Sequence, residues 1–113
     1  MIKNLNNPKD LVICLKFLIH LSLTDDESYQ SINSIIRKHM GTMFAENEES
    51  AEKIIEGIND NELIRLTINS FLKLQNESEV NKKEIMQMIE EIIFADEDVL
   101  PSESKFYDMA KRY

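Results

Sequence analysis

The chain has 113 residues, room for one domain and not two. Only two glycines and two prolines exclude a β-sandwich built on many tight turns, while 42% hydrophobic residues suffice for one core. Thirteen basic residues against 21 acidic ones give a net charge of −8, a field that repels nucleic acid and anionic membrane surfaces but not basic proteins or divalent cations.

The single cysteine, Cys14, allows no internal disulfide and no cysteine metal cluster, which fits a reducing cytosol. Met1-Ile2-Lys3-Asn4 leads into no apolar core with a small-residue cleavage site, so no signal peptide is expected. The richest apolar run, Leu11 to Leu23, is broken by Lys16 and His20 and falls short of the roughly 20 residues a bilayer needs. It predicts a buried core helix and no membrane insertion.

In chain order, Pro8 suits the first turn of a helix that carries Leu11, Val12, Cys14, Leu15, Leu18 and Leu21. A helix apolar over most of its circumference is expected at the centre, with Lys16 and His20 forming its solvent stripe. Thr24-Asp25-Asp26-Glu27 matches a capping box for a second helix, which runs through Tyr29, Ile32, Ile35, Ile36 and His39 to Met40. Arg37, Lys38 and His39 complement its carboxyl end, and Gly41 stops it. After a polar acidic stretch, Glu46 to Ser50, a short third helix is marked by Ala51, Ile54, Ile55 and Ile58. Asn59 with Glu62 caps a fourth helix, lined by Leu63, Ile64, Leu66, Ile68, Phe71, Leu72 and Leu74. Asn76 to Glu79 is a turn, and Asn81 with Glu84 caps a fifth helix lined by Ile85, Met88, Ile89, Ile92 and Ile93. A loop, Asp96 to Leu100, leads to Pro101 and a sixth helix with Phe106, Met109, Ala110 and Tyr113. The class is all-α: a single compact bundle of about six or seven helices, with Leu18 and Ile68 expected to be almost fully buried.

Sliding the chain on itself by about 71 residues aligns Leu15 with Met86, Leu18 with Ile89, and Asp25 with Asp96. Both segments run from long apolar helix through acidic turn to shorter amphipathic helix, the pattern of a duplicated helical hairpin.

No constellation carries catalysis. There is no phosphate-binding glycine loop, no Gly-x-Ser-x-Gly and no His-Glu-x-x-His. His20 and His39 stand one per helix and are expected to be surface or half-buried structural residues. Cys14, among Leu11, Leu15 and Leu18, predicts a buried, inert thiol. The methionines are expected to fill the core, except Met40 and Met43 near a helix end, which are expected at the surface. Asp96, Glu97, Asp98 and Glu103 can offer hard oxygen ligands to calcium or magnesium. An EF-hand is excluded, because Leu100, Pro101 and Tyr107 fall where a ligand, the glycine and the last glutamate belong. The competing structural reading has Asp98 and Glu103 serving the amino end of the sixth helix.

The segment Ile92 to Glu103, followed by Phe106 and Ala110, resembles the TerB-like tellurite-resistance family, whose signature is an apolar helix ending in Ala-Asp-Gly, an aliphatic residue, a cap and a glutamate opening the next helix. Glu97 stands at the family's glycine and Leu100 at its polar cap. The resemblance implies one TerB-like helical domain over 1–113, about seven helices, a bacterial stress-response or defence setting, no enzymatic activity, and divalent-metal binding by acidic turns in some members.

The sequence thus predicts a non-enzymatic, cytoplasmic, acidic binding or scaffolding module. Its partner is expected to be a protein with a basic surface, met by Glu97 and Asp98 with Met40, Met43 and Phe44 as apolar anchors. The alternatives are a calcium- or magnesium-binding stress protein using Asp96, Asp98 and Glu103, and an acidic inhibitor or nucleic-acid mimic.

Overall fold

Among the described residues six α-helices make up the fold: α1 (Pro8–Ser22), α2 (Asp26–Met40), α3 (Met43–Ile55), α4 (Asp60–Leu74), α5 (Glu79–Ile93) and α6 (Pro101–Arg112). The computed structural model describes residues 1–22, 26–95 and 101–112, and no strand occurs among them. Thr24 and Asp25 of the expected capping box, the loop Asp96 to Leu100, and Tyr113 lie outside the described residues.

α1 is the central helix. Leu11, Val12, Ile13, Cys14, Leu15 and Leu18 are all buried, so its apolar surface runs nearly all the way round. It packs most extensively on α4 and α3, then on α6 and α2, while α2 also packs on α5 and α5 on α6. Of the expected solvent stripe only His20 is exposed. Lys16 is drawn across α3, with its ammonium 3.0 Å from Glu48 and 2.6 Å from Glu52.

Several boundaries differ from the sequence reading for identifiable reasons. Gly41, with φ +60°, ends α2, and α3 begins two residues later, so Glu46 to Ser50 is helical and not a loop. Glutamate is a good helix former, and Glu46 stands in the first turn, where the helix dipole favours an anion. α3 stops at Ile55, short of Ile58, because Gly57 takes φ +82°. The Asn59–Glu62 cap forms as expected: the Asn59 side-chain oxygen Oδ1 accepts from the Glu62 N–H at 2.9 Å, and the side-chain Nδ2 donates to the Glu62 carboxylate. The cap of α5 is Ser78 and not Asn81, the Ser78 hydroxyl accepting from the Asn81 N–H. α1 and α2 are both 15 residues long, so the shorter second helix of the repeat pattern is absent from the first hairpin.

Leu18 is fully buried, but Ile68 is only half-buried. α4 turns Thr67 and Ser70, not Ile68, into the interior. Small residues there let the two backbones approach: the Cys14 thiol reaches the Thr67 carbonyl at 3.8 Å, and the Ser70 hydroxyl donates to Asp10 at 3.2 Å. The Thr67 hydroxyl is satisfied within its own helix by the Leu63 carbonyl at 2.8 Å.

Residues 1–7 form a strap that the sequence reading does not anticipate. The Ile2 N–H donates to the His39 carbonyl at 2.8 Å, and the Ile2 side chain is buried. Asn81, at the start of α5, donates to the Lys3 carbonyl at 2.9 Å. Glu77, buried in the α4–α5 turn, accepts from the backbone N–H groups of Asn6 and Asn7 at 2.8 and 2.9 Å. The carboxylate thus answers donors just ahead of α1.

Leu18→Asp would bury an unpaired charge in a chain whose total stability is about 6–17 kcal/mol at ~0.05–0.15 kcal/mol per residue. Its circular-dichroism melt is expected to show no cooperative transition. Glu77→Ala is expected to lower stability in urea by about 1.5–3 kcal/mol through loss of charge-assisted hydrogen bonds. Amide exchange should accelerate selectively at Asn6 and Asn7, whereas exposed Val80→Ala should leave both measurements near wild type.

Candidate functional site

α3 presents the chain's best-defined charged surface. Glu46, Glu49 and Lys53 follow spacings of three and four, which place them on one face of α3; Glu56 stands three positions on, at the carboxyl cap, and all four are exposed. Glu46 accepts from the Thr42 hydroxyl at 2.9 Å, and the ends of Glu49 and Lys53 lie 3.5 Å apart in open solvent. An exposed pair of that kind holds little energy, so these carboxylates remain available. Beside them Glu48 and Glu52 share Lys16, whose ammonium also lies 5.9 Å from the Phe44 ring centroid. Burial pushes the Lys16 ammonium down, but hydrogen bonds to Glu52 and Glu48 outweigh it and leave the group above its ordinary value. Lys16 is therefore a fixed cation beneath the face, and Ile54, 38% exposed, is an apolar residue at its edge.

The expected anchors behave differently from one another. Met40 is not at the surface: it is 2% exposed, because it continues the buried stripe of Ile32 and Ile36 at spacings of four along α2. Met43 and Phe44 are half-buried against that core. Glu97 and Asp98, the expected partner-facing acids, lie outside the described residues. So do Asp96 and Asp98 of the expected metal set, while Glu103 is buried in the first turn of α6. No group of three or more His, Cys, Asp or Glu side chains suited to a metal ion occurs among the described residues.

Cys14 is wholly buried, and desolvation, reinforced by the nearby charge of Asp10, raises its thiol well above the ordinary range. The thiolate form is thereby disfavoured, as expected of an inert core cysteine. His39 is more buried than the sequence suggests and is held at both ring nitrogens. Nδ1 lies 3.2 Å from Glu84, and Nε2 faces Glu91. The two carboxylates sit at opposite ring nitrogens and share no common focus for a cation. The Met1 ammonium reaches Glu84 at 3.2 Å, and Lys38 reaches Glu91 at 3.2 Å. The cluster therefore joins the end of α2 and the strap to α5. Sequence spacing could not show it, since His39 and Glu91 are 52 positions apart.

No protein-family model, no curated protein and no solved structure matches the chain. The functional reading rests on its own surfaces.

Both clamp carboxylates titrate below their ordinary value of 4.5. At Glu84 burial pushes upward, but the hydrogen bonds from His39 and the Met1 ammonium prevail; at Glu91 the His39 hydrogen bond is the leading cause, with Lys38 adding to it. A carboxyl lowered on folding contributes stability above its unfolded value, and the contribution is lost as pH falls through the folded value. The urea midpoint is therefore expected to decline as pH drops below about 4.5. Glu84→Gln with Glu91→Gln should lower stability at neutral pH and make the acid decline shallower.

Proposed function

We propose that this chain is a non-enzymatic, acidic helical binding module that meets a protein partner with a basic surface. The observation that supports the reading is the α3 face, where exposed carboxylates on a regular helix stand beside exposed Ile54. A helix packed on α1 and α2 presents these charges in a fixed arrangement. The charges would speed encounter with a basic partner, and the apolar edge would slow its release. Ile54 takes over the anchoring role that Met40 cannot fill, with Met43 and Phe44 as half-buried support. The resemblance of Ile92 to Glu103 to the TerB-like family favours a stress-response or defence setting for such a module.

The reading is tested by retaining partners from a native-cell lysate on the immobilised chain at low and at moderate salt. Kinetics are then measured with the retained protein. Association is expected to slow as salt shortens the Debye length to roughly 8 Å at physiological ionic strength. Glu49→Lys with Glu56→Lys should reduce the association rate at low salt by about 10-fold or more, and Ile54→Ala should mainly raise the dissociation rate. An association rate indifferent to both salt and charge reversal would reduce the acidic face to a solubility feature and defeat the proposal.

A further inference from the structure

A second surface, with the opposite electrostatic character, lies between α4 and α6. Both helices pack on neighbours, α4 on α1 and α6 on α1 and α5, but they are not extensively packed on each other. The Phe71 and Phe106 rings meet edge-on across the gap, with centroids 5.5 Å apart. One ring lines each of two hollows. The first, about 260 Å³, has Phe17, Leu21, Ile64 and Met109 in its walls. The second, about 700 Å³, has Leu74, Ile85, Met86 and Ala110 in its walls.

The two hollows, bridged by this ring contact, are the two halves of a discontinuous groove, and α5 supplies most of the second half's wall. Ile64 shares the first with Lys105, Phe106 and Met109, and Phe71, Leu74 and Gln75 share the second with Ala110 and Lys111. The α4 residues in the two walls run from Ile64 to Gln75, about 11 residues apart, ~17 Å at 1.5 Å per residue, or three helical turns. Ile64, Ile68 and Leu72, spaced by four, continue the apolar surface outward. Ile64 is 40% and Leu72 48% exposed, with half-buried Ile68 between them.

The ionic rim decides what this groove fits. Lys82, Lys83, Lys105 and Lys111 line it against only Glu79 and Glu90, four positive charges against two negative, on a chain of net −8. Glu79 is taken by Lys82 at 2.8 Å, and Glu90 accepts the Tyr107 hydroxyl at 2.6 Å. Lys83, Lys105 and Lys111 have no ion-pair partner among the described residues. Charges more than roughly 8 Å away are largely screened at physiological ionic strength, so the local rim outweighs the overall charge.

We propose that the α4–α6 groove is the docking site for an amphipathic helix of a partner protein, about three turns long, with acidic residues flanking its apolar stripe. No α3 residue lines the groove, so this inference and the acidic-face reading stand or fall separately.

Fluorescence anisotropy with three labelled peptides tests it. One carries a leucine stripe at helical spacing with glutamate flanks, one the same stripe with lysine flanks, and one the glutamate composition scrambled to destroy the stripe. The glutamate-flanked helix should bind saturably and about 10-fold tighter than either control. Ile64→Asp should weaken it about 10-fold or more, and Leu72→Ser, a milder change, should act in the same direction. Lys105→Glu with Lys111→Glu should weaken binding about 2- to 30-fold and flatten its salt dependence. Glu49→Lys should leave it unchanged. The proposal is overturned if the lysine-flanked or scrambled peptide binds as well, or if Ile64→Asp and Leu72→Ser, both shown to be folded, bind like wild type. A concentration-dependent dimer dissolved by Ile64→Asp would likewise overturn it, assigning the groove to a second copy of the chain.

Discussion

The fold depends on one constraint: α1 has almost no side that can face water. Leu11 to Leu15 are five consecutive buried residues, which on a helix spread over the whole circumference, and Leu18 extends the same condition by another turn. Each large aliphatic side chain so placed contributes about 1.5–3 kcal/mol when removed from water, and the contribution is realised only if neighbours close on every side. α3, α4, α6 and α2 do so. Because α1 is lined with large residues, its closest neighbour supplies small ones. α4 turns Thr67 and Ser70 inward, and the same rotation sends Ile64 and Leu72 outward. The exposed stripe of α4 is thus a consequence of how α1 is covered.

Around this apolar axis, buried polar groups fix the arrangement. Asp10, Ser70, Glu77, Asn81 and His39 are all buried, and no buried side-chain nitrogen or oxygen lacks a partner among the described residues. Their contacts cross between elements distant in sequence: Asp10 to α4, Glu77 to the strap, and His39 to α5. Apolar packing tolerates sliding, whereas a carboxylate that has lost its donors in a dry site is costly, so such contacts select one register among several hydrophobically similar ones. The strap is held by this means: apart from Ile2, its described attachments are mostly hydrogen bonds and an ion pair.

Where the sequence was legible, the signal was local. Pro8 and Pro101 open helices, Gly41 closes one, Asn59 with Glu62 caps another, and unbroken hydrophobicity marks α1 as central, all within a turn or two of chain. The failures arose where a residue's role is set from far away. Glu46 to Ser50 reads as a polar acidic stretch ahead of a helix, yet it is helical, stabilised in part by Lys16 on α1. Asn81 reads as a cap because it is a polar residue before an apolar run, yet its side chain serves Lys3. Ile68 reads as interior because hydrophobicity does not register which stripe of a helix must be narrow. Met40 reads as exposed because a helix end is usually wet, yet it continues the buried stripe of Ile32 and Ile36. Of the candidate site, Phe44 and the acidity of Glu46 to Glu52 were legible, but neither Ile54 as the exposed apolar residue nor the His39 clamp could be found by spacing.

The same distinction reorganises the net charge of −8. Part of the acidity is structural: Glu77 holds the strap, Glu84 and Glu91 hold His39, Asp10 faces Ser70 and Lys73, and Glu48 and Glu52 share Lys16. Carboxylates committed in this way also draw in cations, since Lys16, Lys38, Lys73 and His39 are used at contacts between helices. The remaining charges separate by location, with Glu46 and Glu49 outward on α3, Glu56 at its carboxyl cap, and Lys83, Lys105 and Lys111 along the groove. A composition-level charge treats the surface as uniformly acidic. Pairing by pairing, it resolves into an acidic helix face and a basic-rimmed apolar groove on different helices, and a partner meets one of those local fields, since screening removes the average of the rest beyond roughly 8 Å.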